Sequence, residues 1–219
     1  MQKYLSKIIL LLLIIMLSSC FEIIEEITIN KDGSGNILLT LNFSRSKSNI
    51  NSIMLLDSVN NYKVPSEQEI KTRIAGIKSQ ITNISGVSNV KTNSNFEDYI
   101  FNISCNFTNV SVLNKVITSF NKNKDIEINK QFSYNKNTKT FTRTYNYDLQ
   151  KEVQKIKKKD KEVLKDASYT SIYRFQSPIL SSKNKLAKIS KSRKAIMLRV
   201  DVNEMVANKQ NIKNTIKLK

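Results

Sequence analysis

The stretch EIIEEITINKDGSGNILLTLNFS, residues 22–44, decides the fold of this chain. Its second arm places four apolar side chains on one face of a strand: Ile37, Leu39, Leu41 and Phe43. Between the two arms, residues 31–35 (KDGSG) have the composition of a β-hairpin turn. The stretch therefore predicts two antiparallel strands, over residues 22–29 and 36–44, and makes a β-sheet the frame of the fold.

Helices are predicted in the next part of the chain. A short helix is expected over 49–59. A second helix has a clearer start, because Ser66 and Glu69 stand three residues apart, as in a capping box. Five isoleucines share one face of that second helix: Ile70, Ile74, Ile77, Ile81 and Ile84. Gly86 ends the helix. Two strands then follow, over 87–93 and 97–107, with a helix near 110–121.

The same order recurs in the rest of the chain. A second hairpin is predicted over 126–134 and 140–147, and a helix over 149–167. The closing strands are expected at 171–176, 186–190 and 195–202, with residues 212–218 as an edge strand or a frayed end. Successive strand–strand–helix units indicate an α+β fold, an antiparallel sheet with its helices packed on one face. The chain has only 4 Gly and 2 Pro and no candidate flexible linker, so residues 20–219 are predicted to form a single domain.

The first 20 residues have the parts of an export signal. Lys3 and Lys7 precede an unbroken apolar run over 8–17, which is too short to span a bilayer. The run closes in Leu17, Ser18, Ser19 and Cys20. These four residues resemble the lipobox of bacterial lipoproteins.

The lipobox resemblance implies an address and an attachment. Residues 1–19 would be a signal peptide, and Cys20 would become the first mature residue and carry the lipid. The chain would then be anchored to a membrane of the bacterial cell envelope, at the outer membrane or the periplasmic face, or exposed on the surface. A plain signal peptide, or a short uncleaved anchor with an incidental cysteine, is the alternative.

Cys105 is the second and last cysteine of the chain. If Cys20 is lipidated, Cys105 has no partner for a disulfide. It lies in an alternating stretch, 99–107, whose odd positions are apolar, and this pattern predicts a free cysteine buried on a strand face. A catalytic thiol would need a nearby base, and the chain has no histidine.

Positive charge is concentrated in the last third of the chain. The whole sequence has 36 Lys and Arg against 18 Asp and Glu, and residues 151–219 have 19 against 6. Such a region attracts anionic headgroups, acidic glycans or proteins. The candidate contact residues are Lys155, Lys157, Lys158, Lys159, Lys161, Lys191, Arg193 and Lys194. A lysine-rich, merely solvated surface is the alternative, and the export signal argues against nucleic acid as the partner.

Metal-binding and catalytic patterns fail in this sequence. Residues 30–37 resemble the start of an EF-hand calcium loop, but Leu41 stands at the twelfth position, where a bidentate carboxylate is needed. The absence of histidine removes the side chain that titrates nearest neutrality and zinc sites of the Cys and His type. We therefore expect no metal, no cofactor and no enzymatic activity.

Residues 169–179 (YTSIYRFQSPI) and the strand around Met197 resemble the end of LppM-like bacterial lipoprotein domains. That resemblance implies a role in handling lipid or envelope components. The sequence thus favours a non-enzymatic, lipid-anchored envelope lipoprotein that binds an anionic or protein partner through its basic third. The alternative is a carrier that holds an apolar or lipid ligand between sheet and helices, in a cavity of at least ~300 Å³.

Overall fold

A computed structural model of the protein describes residues 21–59, 61–120, 130–145, 147–157, 161 and 164–219. The first two strands, β1 (Glu22–Ile29) and β2 (Gly35–Asn42), form the predicted hairpin, with Glu22 opposite Asn42. The turn between them contains Gly33, whose φ of 84° is a left-handed conformation that glycine adopts without steric cost. The sequence prediction for this hairpin is therefore confirmed.

The middle of the chain follows the prediction except in its first helix: the helix expected over 49–59 is wrong in its bounds, since it spans Lys47–Met54 and residues 58–59 form a strand instead. Its elements are α1 (Lys47–Met54), β3 (Ser58–Val59), β4 (Tyr62–Lys63), α2 (Glu67–Thr82), β5 (Val87–Asn95), β6 (Ile100–Phe107) and α3 (Val110–Ser119). The capping box begins α2: the Glu69 amide donates to Ser66 Oγ at 3.2 Å, and the Ser66 amide donates to Glu69 Oε2 at 2.8 Å. Among the helices of the described residues, none is both long and apolar enough to cross a bilayer.

The last part of the chain departs from the prediction in several elements, and it contains a strand over Ile179–Ser182 and a short helix over Val202–Val206 that were not predicted. Residues 126–129 of the predicted second hairpin lie outside the described residues. Its elements are β7 (Phe132–Asn135), β8 (Thr140–Arg143), α4 (Leu149–Gln154), β9 (Ser168–Phe175), β10 (Ile179–Ser182), β11 (Lys188–Ile189), β12 (Ala195–Asp201), α5 (Val202–Val206) and β13 (Asn214–Leu218). The helix predicted over 149–167 is wrong in length, since α4 ends at Gln154. Within α4, Val153 is the one buried residue. Because a helix is stabilised mainly by packing of its apolar face, one buried side chain does not support a longer helix.

Seven strands form the main sheet, in the order β11-β12-β9-β1-β2-β6-β5. Neighbouring strands in this sheet are antiparallel except β1 and β9, which run parallel with Glu22 beside Ser168 and Ile29 beside Phe175. The predicted α+β class is confirmed. The parallel pair is an addition that the strand–strand–helix pattern did not predict, because it joins the first strand to one in the last third.

A second sheet of four strands has the order β10-β13-β8-β7. Its strand β13 lies between β10 and β8, so the expectation that residues 212–218 form an edge strand or a frayed end is wrong. The reason is burial: Ile216 is 0% exposed and Leu218 4%, and both belong to the main core. The C-terminal strand is therefore held on both sides.

The core lies on one face of the main sheet. Strand alternation puts Glu25 and Ile27 on this face of β1. The second sheet covers β9, where the centres of the Phe141 and Tyr173 rings lie 5.2 Å apart. Helices α2 and α3 cover the other half and contribute Ile81 and Leu113, both 0% exposed. The packing has two layers, with all the helices that enter this core on one side of the sheet.

The two ends of the main sheet carry different segments. At one end, five residues of neighbouring strands lie in register across the sheet: Asp201, Ser168, Glu22, Asn42 and Ile100. We call it the Phe21 end, because the Ser168 amide donates to the Phe21 carbonyl at 3.0 Å. Helix α1 and the β3–β4 hairpin follow β2 here, and residues 164–167 lead into β9. At the opposite end, the Gly35 end, Gly35 pairs with Phe107.

Candidate functional site: an apolar cavity between sheet and helix

A cavity of about 270 Å³ lies between the main sheet and helix α2. It is lined by Ile23, Leu39, Leu41, Ile74, Ile77, Phe101, Asn102, Ile103 and Phe120. The sheet residues form cross-strand rows, with Leu41 between Ile23 and Phe101 and with Leu39 opposite Ile103. The row that contains Leu41 is the second row from the Phe21 end of the sheet, and Leu41 is 42% exposed. The cavity therefore reaches solvent towards the Phe21 end.

The cavity exists because α2 packs against the sheet mainly at its C-terminal end. Ile81, in the last turn of the helix, is 0% exposed, whereas Ile74 and Ile77 are half-buried. The isoleucine stripe predicted from the sequence is thus real, but its first turns stand away from the strands. Phe120, directly after α3, lies at the cavity wall.

The lining gives the cavity an apolar character. Eight of its nine residues are aliphatic or aromatic, and the ninth, Asn102, occupies an even position of β6 whose side chain faces away by strand alternation. An apolar cavity of about 150 Å³ stays dry and binds benzene-sized ligands. A cavity of about 270 Å³ is therefore large enough for part of an alkyl chain, and it offers no group for chemistry on such a chain.

A buried polar cluster stands next to the cavity, and the sequence analysis did not find it. Glu25 is 2% exposed and lies opposite Leu39 of the cavity wall. Its Oε2 atom lies 3.4 Å from Arg143 Nη2. The Tyr173 hydroxyl donates to Glu25 Oε1 at 2.7 Å, and Arg143 Nη1 donates to Gln131 Oε1. The sequence signal that could have revealed this cluster is Glu25 itself, because it is the acidic residue among the odd, inward-facing positions of β1.

Burial and charge set the ionisation of this cluster. Burial raises the pKa of Tyr173 well above its usual range, and the Glu25 carboxylate raises it further. Burial is the largest single influence on the pKa of Arg143 and lowers it, but Glu25, Tyr169 and Tyr173 together outweigh burial and the pKa is raised. Arg143 thus stays cationic and Tyr173 neutral, so the cluster is a fixed polar bridge between the main sheet and the second sheet.

Cys105 is a buried free thiol, as predicted. It is 3% exposed in the main core, and desolvation by burial raises its pKa to about 11. A thiol with so high a pKa is largely protonated near neutral pH and is a poor nucleophile. Among the described residues, no three His, Cys, Asp or Glu side chains are grouped to hold a metal ion.

Six of the predicted site residues lie outside the described residues: Leu17, Ser18, Ser19, Cys20, Lys158 and Lys159. The signal peptide and the lipidation of Cys20 therefore stay predictions. The other six basic candidates are described, and the structure divides them between the two ends of the main sheet.

Lys155, Lys157 and Lys161 belong to the segment before β9, which enters the sheet at the Phe21 end. Lys155 Nζ lies 2.7 Å from Glu152 Oε1, and Lys157 Nζ lies 5.8 Å from the centre of the Tyr62 ring. Lys157 thus connects this segment to the β3–β4 hairpin, and Lys155 is partly neutralised by Glu152.

Lys191, Arg193 and Lys194 lie in the turn before β12, at the Gly35 end, where the Phe175 amide donates to the Lys194 carbonyl at 2.8 Å. The length of β9, about 23 Å at 3.3 Å per residue, separates the two groups. Arg193 Nε donates to the Ile179 carbonyl at 2.8 Å, and Nη2 donates to the Leu180 carbonyl at 2.9 Å. Its guanidinium thus holds β10, and the six described candidates do not form one surface.

Comparison with known proteins gives a structural likeness and no family. No protein-family model matches the sequence, and no curated protein matches it. The fold is similar to the solution structure of the folded domain of the Mycobacterium tuberculosis LppM protein, with a TM-score of 0.41 and 10% sequence identity. The similarity covers 90% of this chain and 89% of that one.

Proposed function

We propose that this chain is a non-enzymatic, lipid-anchored protein of the bacterial cell envelope that holds an apolar chain in the cavity under α2. The observation that carries the proposal is the apolar cavity of about 270 Å³ between the isoleucine stripe and the sheet. It is somewhat smaller than the roughly 300–1,000 Å³ of typical ligand sites. It therefore suits part of an acyl chain, with the rest of the lipid and its headgroup outside.

The position of the cavity supports a lipid as the source of that chain. Its mouth lies towards the Phe21 end, and the proposed lipid anchor on Cys20 immediately precedes Phe21. A domain tethered at this end presents the mouth to the membrane that supplies the ligand. The geometry thus favours the carrier hypothesis, which is the alternative interpretation of the sequence.

Photo-cross-linking tests the proposal on the full chain in its own membranes. A fatty acid that carries a diazirine near its end is incorporated into cellular lipids, and irradiation is followed by peptide mapping. We expect cross-links in the peptides that line the cavity, around Leu39, Ile77 and Phe101, because the chain end should lie among them.

Two variants of α2 sharpen this experiment. Ile77→Phe adds volume inside the cavity and should strongly reduce the cavity cross-links, whereas Gln80→Phe places the same ring on the exposed face of the helix and should not. Circular dichroism and the denaturation midpoint verify that both variants fold. Cross-links that avoid the lining peptides, or that survive Ile77→Phe unchanged, would refute the proposal.

A further inference from the structure

An exposed apolar tip projects from the Phe21 end of the main sheet. It consists of the end of α1 and the β3–β4 hairpin, and its large apolar side chains are Ile53, Leu55, Leu56 and Tyr62. Leu55 is 88% exposed, Tyr62 58%, Leu56 52% and Ile53 39%. Helix α1 has no buried residue, so neither it nor the tip is used by the core. A cluster of this kind on an exported protein indicates an interaction surface.

Specific contacts hold the tip at the Phe21 end. The Tyr99 hydroxyl donates to Asn51 Oδ1 at 2.7 Å, which fixes α1 to the turn before β6. The Phe43 ring, just before α1, lies 5.5 Å from the Phe21 ring. The described chain therefore begins beside the base of the tip, and a lipid on Cys20 would tether the protein by this end.

Positive charge accompanies the tip. Lys157 Nζ lies 5.8 Å from the centre of the Tyr62 ring, and Lys161 and Lys165 follow it before β9. Within the tip itself, Asp57 is the acidic residue, and Lys63 is paired with Glu69 at 2.7 Å. Asp160, Glu162 and Asp166 offset three of the five lysines of residues 157–166, so the attraction to anions is expected mainly from Lys157 beside the hairpin.

We propose that the tip inserts into the surface of an anionic bilayer, with Leu55 and Leu56 among the upper acyl chains and Lys157 against the phosphates. Apolar burial combined with lysine attraction is the physical basis of interfacial membrane binding. A second copy of the chain is a poor occupant, because the formal net charge, +18 for the full sequence and +16 without Lys3 and Lys7, would repel it. The inference goes beyond the proposed function, from which it takes only the attachment at Cys20.

The chain contains no tryptophan, which allows a direct test. The variants Leu55→Trp and Leu180→Trp each introduce one indole at an exposed leucine, the second on β10 of the second sheet. Each full-length variant is reconstituted into vesicles of phosphatidylethanolamine and phosphatidylglycerol that contain lipids brominated on their acyl chains. We expect a blue-shifted emission and several-fold stronger bromine quenching for Leu55→Trp than for Leu180→Trp.

Matched charge variants separate the contribution of the lysines. Lys157→Gln with Lys161→Gln should reduce the quenching of the indole in Leu55→Trp, whereas Lys191→Gln with Lys194→Gln, which removes the same charge at the Gly35 end, should leave it unchanged. Replacing phosphatidylglycerol by phosphatidylcholine should weaken quenching in the same way as the first pair.

Equal quenching of the two indoles would overturn the proposal, and so would quenching that is insensitive to both the lysines and the anionic lipid. A blue shift without bromine quenching would also overturn it, because it would mean that a protein rather than the bilayer covers the tip. None of these results bears on the cavity, since the photo-cross-links of the proposed function map to other peptides.

Discussion

The Tyr173 hydroxyl donates a 2.7 Å hydrogen bond to Glu25 across 148 residues of sequence, and both side chains are at most 2% exposed. The second oxygen of Glu25 faces Arg143, which lies over the Phe132 ring at 4.5 Å. The first strand of the chain is thereby tied to β9 in its own sheet and to β8 in the second sheet. Removing one member should therefore disturb both layers.

Arg143→Met should destabilise the protein by about 3–5 kcal/mol, because it leaves the buried Glu25 carboxylate without its cation. The denaturation midpoint in urea measures the loss. The double variant Glu25→Leu with Arg143→Met removes both charges and should be more stable than Arg143→Met alone. A double variant as unstable as the sum of its singles would mean that the two residues are not coupled.

The two glycines around α2 should respond oppositely to alanine. Gly76→Ala should stabilise the protein by about 0.5–1 kcal/mol, since no atom beyond its chain neighbours and its own helix backbone lies within 4 Å of the added methyl group and the helix favours alanine. Gly86 has φ of 88°, and a Cβ there would lie 2.6 Å from Thr108 Oγ1 and 2.8 Å from Val112 Cγ2. Gly86→Ala should therefore cost at least about 1–2 kcal/mol in the same urea titration. A neutral Gly86→Ala would contradict the backbone conformation.

Cys105 should resist alkylation in the native protein. Its thiol is buried and its pKa is raised to about 11, so little thiolate is exposed to iodoacetamide at mildly alkaline pH. Mass spectrometry of the peptide that contains Cys105 should show little label in native buffer and full label in concentrated guanidinium chloride. Rapid labelling of the native chain would indicate that the strand opens locally.

The capping box of α2 should contribute a stabilisation that depends on pH. Lys63 and the Ser66 amide lower the pKa of Glu69 from 4.5 to about 2 in the folded chain. Since the folded pKa is depressed, the contribution is present above the unfolded value near 4.5 and is lost as the pH falls towards 2. Glu69→Gln should thus lower the urea midpoint at neutral pH, and its difference from the native chain should shrink over that acid range. A difference that persists at the lowest pH would exclude the carboxylate as its source.

The sequence predicted best what depends on neighbouring residues. The turn around Gly33 and the capping box of Ser66 and Glu69 are local patterns, because the atoms that pair lie within a few positions of each other. Strand alternation likewise predicted the burial of Cys105. These features hold whatever the rest of the chain does.

Features that join distant segments could not be predicted in the same way. The interior place of β13 requires β10 and β8 on its two sides, and the partner of Glu25 comes from another sheet. The lysines form one basic block in the sequence, but β9 separates them by its full length. The isoleucine stripe predicted a packed helix, whereas Ile81 is fully buried and Ile74 and Ile77 border a cavity.

The place of β1 inside the main sheet has a consequence for the order of assembly. Hairpins β1–β2 and β5–β6 can form as soon as residues 22–107 are synthesised, because each contact within them is local. One side of β1 then remains without hydrogen bonds until residues 168–175 arrive. A chain interrupted before that point exposes a long unpaired strand edge, which is a template for aggregation. The second side of β1 is therefore protected only after most of the polypeptide has been made.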